Sequence, residues 1–359
     1  MKLYIDLENL KSLANNQDSE IMRLIKENFD VFYTFDEPDI KKEKRQKIVK
    51  IENWQNNLSS GRMGKGVCYN AILPSFCEED NGTVNPKDEL QSLFLIKDNS
   101  IIPNGLITSR RNDGCDALRN LLIENKCVPA KFYYTRPEEG KEIQKWEIVS
   151  KNVSPCTDII INDLYMFAQS DTEYGSNSYK LIEELCKRSV GQKLNIVIVT
   201  RMYYNMNEKK KQKDGSIKNV SVPYSILTNS IIRNIKRIAE EVTNCEANVT
   251  IIAQRDEHTD KRIHDRTIFT NYKLFISGDS FKYYRDKVDD NPNTTEFISH
   301  GLWFGVCSLF DDEHRKIAKR FLDDIQEIID ESRKIDESPN TLTKTIYGDR
   351  ESNFLTNLK

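Results

Sequence analysis

The chain has 359 residues, of which 38% are hydrophobic and 30% are charged, and its formal net charge is −3. This slightly acidic balance excludes nucleic-acid or membrane binding driven by net charge alone, so any such binding has to use local patches.

The chain shows no basic leader before an apolar run and no apolar stretch long enough to span a bilayer. We therefore expect a cytoplasmic protein that makes no membrane contact. Its 8 cysteines occur singly, which favours reduced thiols over a disulfide frame or a zinc ribbon.

Residues 1–148 are predicted to form a smaller α/β domain, in which short apolar runs alternate with amphipathic stretches. The predicted strands are 1–5, 30–35, 67–73, 93–96 and 131–134, and the predicted helices are 20–26 and a segment from 41 through 54. The dense charge run at 41–47 is either a solvated helix face, the more common case, or a phosphate-binding patch. This domain is also a candidate site for a protein partner.

Residues 149–335 are predicted to form a second α/β domain, followed by a loosely held tail at 336–359. Strands and helices alternate along it, in the order 158–167 (a buried strand and a polar turn), 179–188 (a helix capped by Ser178), 194–200, 226–242 and 248–253. This order predicts parallel crossovers, with functional residues at the carboxyl ends of the strands. Between them, 208–218 is expected to be a lysine-rich loop. Near the end, Asp311 should cap a long amphipathic helix that reaches about residue 334.

The stretch from 262 to 281 is central to the second domain. It predicts two strands, 267–270 and 273–277, joined at Asn271-Tyr272 and followed by a break at Gly278. His264 and Arg266 alternate onto the same face at the start of the first strand. A phosphate between them would meet a nucleophile or acid together with a fixed cation. The alternative is a purely structural histidine and arginine in a hairpin.

The spacing of this stretch resembles the motif of the phospholipase D superfamily. That motif is histidine, any residue, lysine, four residues, aspartate, six residues and then glycine-serine. In this chain His264 takes the histidine place, Arg266 the lysine place, Asn271 the aspartate place and Gly278 the glycine place, while Asp279 stands where the serine belongs. The register is intact and the residue type differs at three positions, so the resemblance supports the fold more strongly than the activity.

The resemblance implies a mostly parallel sheet with flanking helices, and a catalytic role for three residues. His264 would attack phosphorus to form a covalent phosphohistidine, Arg266 would clamp the phosphate, and Asn271 would orient the groups. The family's site also takes a second copy of the motif, and no histidine precedes His258 in this chain. We therefore expect a homodimer that brings together His264 of each chain, with no cofactor and no metal.

Five further residues are expected to contact the substrate, some close to the motif and some at the end of the strand 194–200: Gly278, Ser280, Lys282, Arg201 and Tyr203. Basic groups beside aromatic rings, followed by a lysine-rich loop, suit a single-stranded nucleic acid, whose bases stack while lysines meet phosphates. The alternative is an exposed loop without a ligand.

The sequence also contains two sets of residues that are alternative candidates for a metal site. Asp6 follows the first strand, and Asp113 and Asp116 open a later helix, in a pattern that resembles fragments of the NYN/PIN-like nucleases. Those enzymes hold Mg²⁺ or Mn²⁺ with carboxylates at strand ends. A helix cap is the simpler role for Asp6. A cluster around His258 and His264 lacks the regular spacing of a metal site.

Together these patterns predict a phosphodiester-recognising protein that acts on nucleic acid, as a dimer-dependent nuclease that uses His264. The resemblance places such altered, single-motif chains in bacterial antiviral defence or repair systems. The alternative is a catalytically inactive phospholipase D-like interaction module that binds a protein partner.

Overall fold

The computed structural model describes residues 1–60, 67–71, 93–96, 118–119, 121–122, 131–134, 146–153, 156–167, 177–189, 193–201, 205–211, 217–243, 245–254, 266–278, 280–281, 284–286, 295–297, 303–339, 344–350 and 358. Within these residues the chain is an α/β protein with two principal sheets, one entirely parallel and one mixed. No described helix combines the length and apolarity needed to cross a membrane. The cysteines of the described part are free thiols: Cys68, Cys156, Cys186, Cys245 and Cys307.

The smaller sheet is parallel and lies in the first third of the chain. Its strands are β1 (Lys2–Ile5), β2 (Asp30–Tyr33), β3 (Val67–Cys68) and β4 (Leu93–Leu95), in the spatial order β3-β2-β1-β4. The described helices beside it are α1 (Leu7–Asn16), α2 (Ser19–Asn28), α3 (Glu37–Lys41) and α4 (Arg45–Ser59). The strands predicted at 1–5, 30–35 and 93–96 and the helix predicted from 41 through 54 are therefore confirmed within a few residues. The strand predicted at 67–73 is shorter, and residues 72–73 lie outside the described part.

The larger sheet is mixed and spans the rest of the chain. Its strands are β5 (Lys131–Tyr134), β6 (Asp158–Asn162), β7 (Lys193–Arg201), β10 (Glu246–Gln254), β11 (Arg266–Thr270), β12 (Lys273–Ser277), β15 (Trp303–Ser308) and β16 (Ile346–Gly348). Two separate hairpins add β8 (Asn205–Lys211) with β9 (Ile217–Pro223), and β13 (Tyr284–Asp286) with β14 (Thr295–Phe297). The described helices of this part are α5 (Glu147–Ser150), α6 (Asn177–Cys186), α7 (Tyr224–Thr243) and α8 (Asp312–Glu337).

Strand order in the larger sheet is β16-β10-β7-β6-β11-β12-β15-β5. The pairs β6–β7 and β7–β10 are parallel, with α6 and α7 as their connections, as the alternating sequence pattern predicted. Next to β6 the sheet becomes antiparallel, because β11 and β12 form a tight hairpin. The turn of that hairpin at Asn271-Tyr272 is also as predicted.

Both faces of the larger sheet are covered. On one face, aliphatic residues of the central strands, such as Ile161 and Ile198, pack against α6 and α7. On the other face, residues such as Ile160 and Val199 pack against α8 and against Tyr4, Phe94 and Ile96 of the smaller sheet. The rings of Tyr4 and Phe94 stack with their centroids 4.7 Å apart. The two sheets therefore share one hydrophobic cluster.

Two segments join the larger sheet from outside the predicted second domain. Strand β5 precedes the predicted boundary at 148, yet it pairs antiparallel with β15 at one edge. Strand β16 lies in the predicted tail 336–359 and pairs antiparallel with β10 at the other edge. Both strands are short and have no clear periodicity, so only long-range pairing identifies their place.

Two local predictions need correction, and a third is confirmed. The lysine-rich segment 208–218 contributes to a hairpin, β8–β9, in place of a simple loop. Ser178 lies inside α6, where its hydroxyl donates to the carbonyl oxygen of Met166 and does not cap the helix end. Asp311 caps α8 as predicted, accepting from the backbone N–H groups of Glu313 and His314.

The edge strand β16 is fixed by a backbone requirement at Gly348. This residue has φ +101°, and a Cβ placed on it would lie 2.0 Å from the carbonyl oxygen of Val249 in β10. Only glycine therefore allows the close approach of β16 to β10.

The residues on either side of β16 are also held by hydrogen bonds. The Asp336 carboxylate at the end of α8 accepts from the backbone N–H of Thr345 at 2.6 Å and from Arg350 Nη2 at 3.0 Å.

We expect Gly348→Ala to destabilise the protein by about 1–3 kcal/mol, because alanine must adopt a positive φ and its Cβ collides with backbone. Urea unfolding followed by circular dichroism measures the change. Gly278→Ala is the matched control, since an added Cβ there meets nothing within 4 Å. Equal unfolding free energies for the two variants would contradict the role assigned to Gly348.

Candidate functional site

Buried polar side chains gather at one edge of the larger sheet, where the parallel strands end. They are Asn162, Asp163, Thr200, Gln254, Thr267, Ser277 and Ser280. The middle of the same strands is aliphatic. Polar groups at the carboxyl ends of strands are the usual position of a ligand site in open α/β sheets. We call this edge the rim and define it by Asp163, Tyr165, Arg201, Arg266, Gly278 and Ser280.

Asp163 is the most buried charged group of the rim, with no solvent exposure. Its Oδ2 accepts from Ser280 Oγ and from the backbone N–H of Phe281, both at 2.7 Å, and its Oδ1 accepts from the backbone N–H of Tyr165 at 2.9 Å. Burial raises the pKa of Asp163 above its usual value, while these hydrogen bonds and the charge of Arg266 oppose the rise. The carboxylate thus joins the end of β6 to the segment after β12.

Arg266 lies at the first position of β11, opposite Ser277. Its Nη1 donates to the carbonyl oxygen of Gly278 at 3.2 Å, and its guanidinium carbon lies 5.6 Å from the centroid of the Tyr165 ring. The side chain is partly exposed. Contact with an aromatic face and with a fixed carbonyl restricts the orientation of the guanidinium.

Of the predicted substrate contacts, the structure places Arg201, Gly278 and Ser280 at the rim. Arg201 ends β7, and its backbone N–H donates to the carbonyl oxygen of Leu164 at 3.0 Å, in the turn that also carries Asp163 and Tyr165. Gly278 and Ser280 contact Arg266 and Asp163, as described above. The predicted residues His264, Lys282 and Tyr203 lie outside the described residues.

Asn271 is not at the rim. Strand β11 runs antiparallel to β6, so the turn that follows it lies at the amino-terminal end of β6. There Asn271 is buried, and its Oδ1 accepts from the backbone N–H groups of Thr157 at 2.9 Å and Asp158 at 3.1 Å. The Asp158 carboxylate also accepts from Asn195 Nδ2 at 3.2 Å. The orienting role predicted for Asn271 is therefore corrected to a structural one at the opposite edge.

The metal alternatives gain no support from the described residues. Asp6 caps α1, with its Oδ1 accepting from the backbone N–H of Asn9 at 2.7 Å and from Asn9 Nδ2 at 2.9 Å. The predicted partners Asp113 and Asp116 lie outside the described part. Among the residues that are described, no group of three or more His, Cys, Asp or Glu side chains could hold a metal ion.

Sequence reasoning did not include Asp163 and Tyr165 among the site residues. The signal was present, since the polar turn Asp163-Leu164-Tyr165 directly follows the buried strand 158–162, and polar groups at strand ends mark ligand sites in α/β sheets. What the sequence could not supply was the pairing of Asp163 with Ser280, which is 117 residues away.

Asn271→Ala tests whether Asn271 has a structural role at the edge of the larger sheet opposite the rim. The variant leaves the buried N–H groups of Thr157 and Asp158 without their acceptor, so we expect a loss of about 1–3 kcal/mol in the free energy of unfolding. Ligand binding at the rim by the folded variant should stay within about twofold of the wild type, since the change is at the far edge. A stable variant that fails to bind would return Asn271 to the site.

Asp163→Asn tests the carboxylate that holds the rim. An amide has one acceptor oxygen, so it cannot accept from the Tyr165 N–H on one side and from Ser280 and Phe281 on the other. We therefore expect a destabilisation of about 1–3 kcal/mol. Because burial raises the pKa of Asp163 in the folded state, the folded state binds this proton more tightly than the unfolded state. The stabilising effect of the native residue therefore falls as pH rises from about 4 through the folded pKa. The penalty of the substitution should accordingly be largest at acid pH.

Urea unfolding of both proteins at several pH values between about 4 and 8 measures that penalty. Asp330→Asn on α8 is a suitable control, because the Asp330 side chain is 45% exposed. A penalty for Asp163→Asn that grows as pH rises would contradict the description of Asp163.

The chain has no match among protein-family models, among curated proteins or among solved structures.

Proposed function

We propose that the rim binds phosphodiester groups of nucleic acid, with Arg266 as the phosphate contact. The observation that carries the proposal is the position of the Arg266 guanidinium. It lies at the carboxyl ends of the parallel strands, is oriented by the Gly278 carbonyl and the Tyr165 ring, and is still partly exposed. A guanidinium held in this way offers a fixed fork of donors, which matches two phosphate oxygens at once.

The Asp163 carboxylate next to Arg266 affects how well an anion can bind at the rim. The charge of Arg266 acts to lower the pKa of Asp163, so the two groups interact, and a carboxylate near an anion site weakens anion binding. However, Asp163 is fully buried and already accepts three hydrogen bonds from Tyr165, Ser280 and Phe281. Its acceptor capacity is directed into the protein, while Arg266 reaches the surface. An arginine suits this position better than a lysine, because its planar fork can donate to the Gly278 carbonyl and still present further N–H groups to a ligand.

Tyr165 adds a second type of contact to the rim. It directly follows the turn at Asp163 and lies against Arg266, so a ligand phosphate on the guanidinium would also be near an aromatic ring. Rings beside arginines bind nucleic acids through combined stacking and charge. Arg201, at the end of the neighbouring strand β7, provides a second cation on the same edge. These three residues favour a nucleic-acid backbone over an isolated small anion.

Cleavage is the further step that the phospholipase D resemblance implies. The sequence places His264 two residues before Arg266, and the family's chemistry takes a histidine as nucleophile and a second histidine as acid. In this chain the second histidine would come from a second copy of the protein, so the proposed nuclease acts as a homodimer. The departure at Asn271 does not argue against activity, because that residue braces β6 far from the rim.

Arg266→Gln should weaken binding of a labelled oligonucleotide by about tenfold or more, since a charged, hydrogen-bonded phosphate contact contributes about 1.5–3 kcal/mol. Fluorescence anisotropy at fixed salt measures the dissociation constant. Arg237→Gln is the matched control, because Arg237 lies on α7 with a side chain 51% exposed. Equal weakening by both variants, or none by either, would remove the rim as the binding site.

His264→Ala separates a nuclease from a binding module. If the protein cleaves labelled DNA or RNA in the presence of EDTA, the variant should lose that cleavage and still bind, because Arg266 is unchanged. Sedimentation of the wild-type protein should show a dimer under the assay conditions. Binding without cleavage by the wild type supports nucleic-acid recognition without nuclease activity, whereas neither cleavage nor binding supports the inactive module that binds a protein partner. Cleavage by a strict monomer contradicts the two-histidine mechanism.

A further inference from the structure

We infer that the hairpin β8–β9 is a nucleic-acid-binding arm that contacts the phosphate backbone next to the rim. This inference rests on the proposed function for its class of ligand, but it assigns a separate element of the protein to a separate contact. The rim would hold one phosphate in a fixed geometry. The arm would supply affinity for the neighbouring phosphates, independent of sequence.

Topology places the arm at the same edge as Arg266. Strand β7 is parallel to β6 and ends at Arg201, beside the turn that follows β6. The chain reaches β8 at Asn205, runs through seven residue pairs with β9, and enters α7 directly at Tyr224. The hairpin is thus an insertion in the β7-to-α7 connection. It is a sheet of its own and adds no strand to the larger sheet.

The backbone register of the hairpin places lysine positions directly opposite each other. Lys210 is directly opposite Lys218, and Lys209 and Lys211 occupy the positions on either side of Lys210. Directly opposed like charges destabilise an antiparallel pair. An isolated two-stranded hairpin is itself of marginal stability. A polyanion along the hairpin would convert this repulsion into attraction.

Charge is also distributed unevenly between this element and the whole chain. The two strands carry Lys209, Lys210, Lys211 and Lys218 and a single acidic residue, Glu208, although the chain has a net charge of −3. A local basic element on an acidic protein directs a polyanion to one place and away from the remaining surface. Alternating side chains along an antiparallel ribbon can follow a phosphate backbone over several nucleotides.

The test is a variant in which the four arm lysines, Lys209, Lys210, Lys211 and Lys218, are replaced by glutamine in the full-length protein. Binding of a labelled oligonucleotide, single-stranded and as a duplex, is measured by anisotropy over a range of salt concentrations. Each lost phosphate contact should reduce the slope of log K against log[salt] by about 0.7 for single strands or about 0.9 for a duplex. We expect at least two contacts to be lost and affinity at low salt to fall by tenfold or more.

A matched control removes the same charge elsewhere. Lys151, Lys193, Lys316 and Lys319 are exposed and lie outside both the hairpin and the charge run 41–47, so their replacement by glutamine changes net charge equally. A second arm variant, with all four lysines changed to arginine, keeps the charge and should keep the wild-type slope. Far-ultraviolet circular dichroism and thermal unfolding confirm that each variant is folded.

The outcomes separate the two proposals. A reduced slope in the arm glutamine variant alone supports the arm, even if Arg266→Gln has no effect and the rim proposal fails. An unchanged slope in the arm variant, together with weaker binding by Arg266→Gln, overturns the arm and leaves the rim. Equal losses in the arm glutamine variant and the matched control, or loss of slope in the arginine variant, also overturn the arm. Binding to anionic lipid vesicles but to neither oligonucleotide would overturn it as well.

Discussion

The hairpin β11–β12 is attached to β6 at both ends by buried aspartates, and the geometry of the rim depends on this attachment. At the start of β6, Asn271 accepts from the backbone N–H of Asp158 and lies against its carboxylate. At the end of β6, Asp163 accepts from Ser280 and the N–H of Phe281, just after the hairpin. A buried carboxylate is costly unless hydrogen-bonded, so each aspartate specifies its partners strongly. Register slippage of the hairpin would break both attachments, which fixes Arg266 relative to β6.

Much of the larger sheet could be predicted from local patterns in the sequence. The apolar runs of β6, β7 and β10 alternate with amphipathic helices, and that order is enough to predict parallel pairing. The edge strands β5 and β16 could not be predicted in the same way. Their few residues show no periodicity, and Lys131–Tyr134 finds its partner more than 160 residues later in β15. The boundary between domains was consequently placed at 148, although β5 belongs to the larger sheet.

The site shows the same division between local and long-range information. Motif spacing placed Arg266, Gly278 and Ser280 correctly in one region, since they are neighbours across a tight hairpin. It misplaced Asn271, because a residue five positions after Arg266 on a strand lies about 16 Å along it, at the other edge of the sheet. Asp163 was left out because its partners Ser280 and Phe281 are 117 and 118 residues away. A buried acid is recognised only when those contacts are known.

Under the proposed function, a fixed cation and a row of further cations would meet different requirements of nucleic-acid binding. Arg266 is held by the Gly278 carbonyl and the Tyr165 ring, so it can set the position of one phosphate, but a single contact gives little affinity. Affinity for a polyanion rises with the number of phosphates neutralised, and this number requires several cations along a line. Placing such cations inside the larger sheet would bury unpaired charge. A hairpin outside that sheet, inserted where β7 meets the rim, avoids this cost and starts from the same edge as Arg266. If the proposed function holds, this separation would let an acidic protein bind an acidic polymer, because the attraction would act at one edge while the rest of the surface repels.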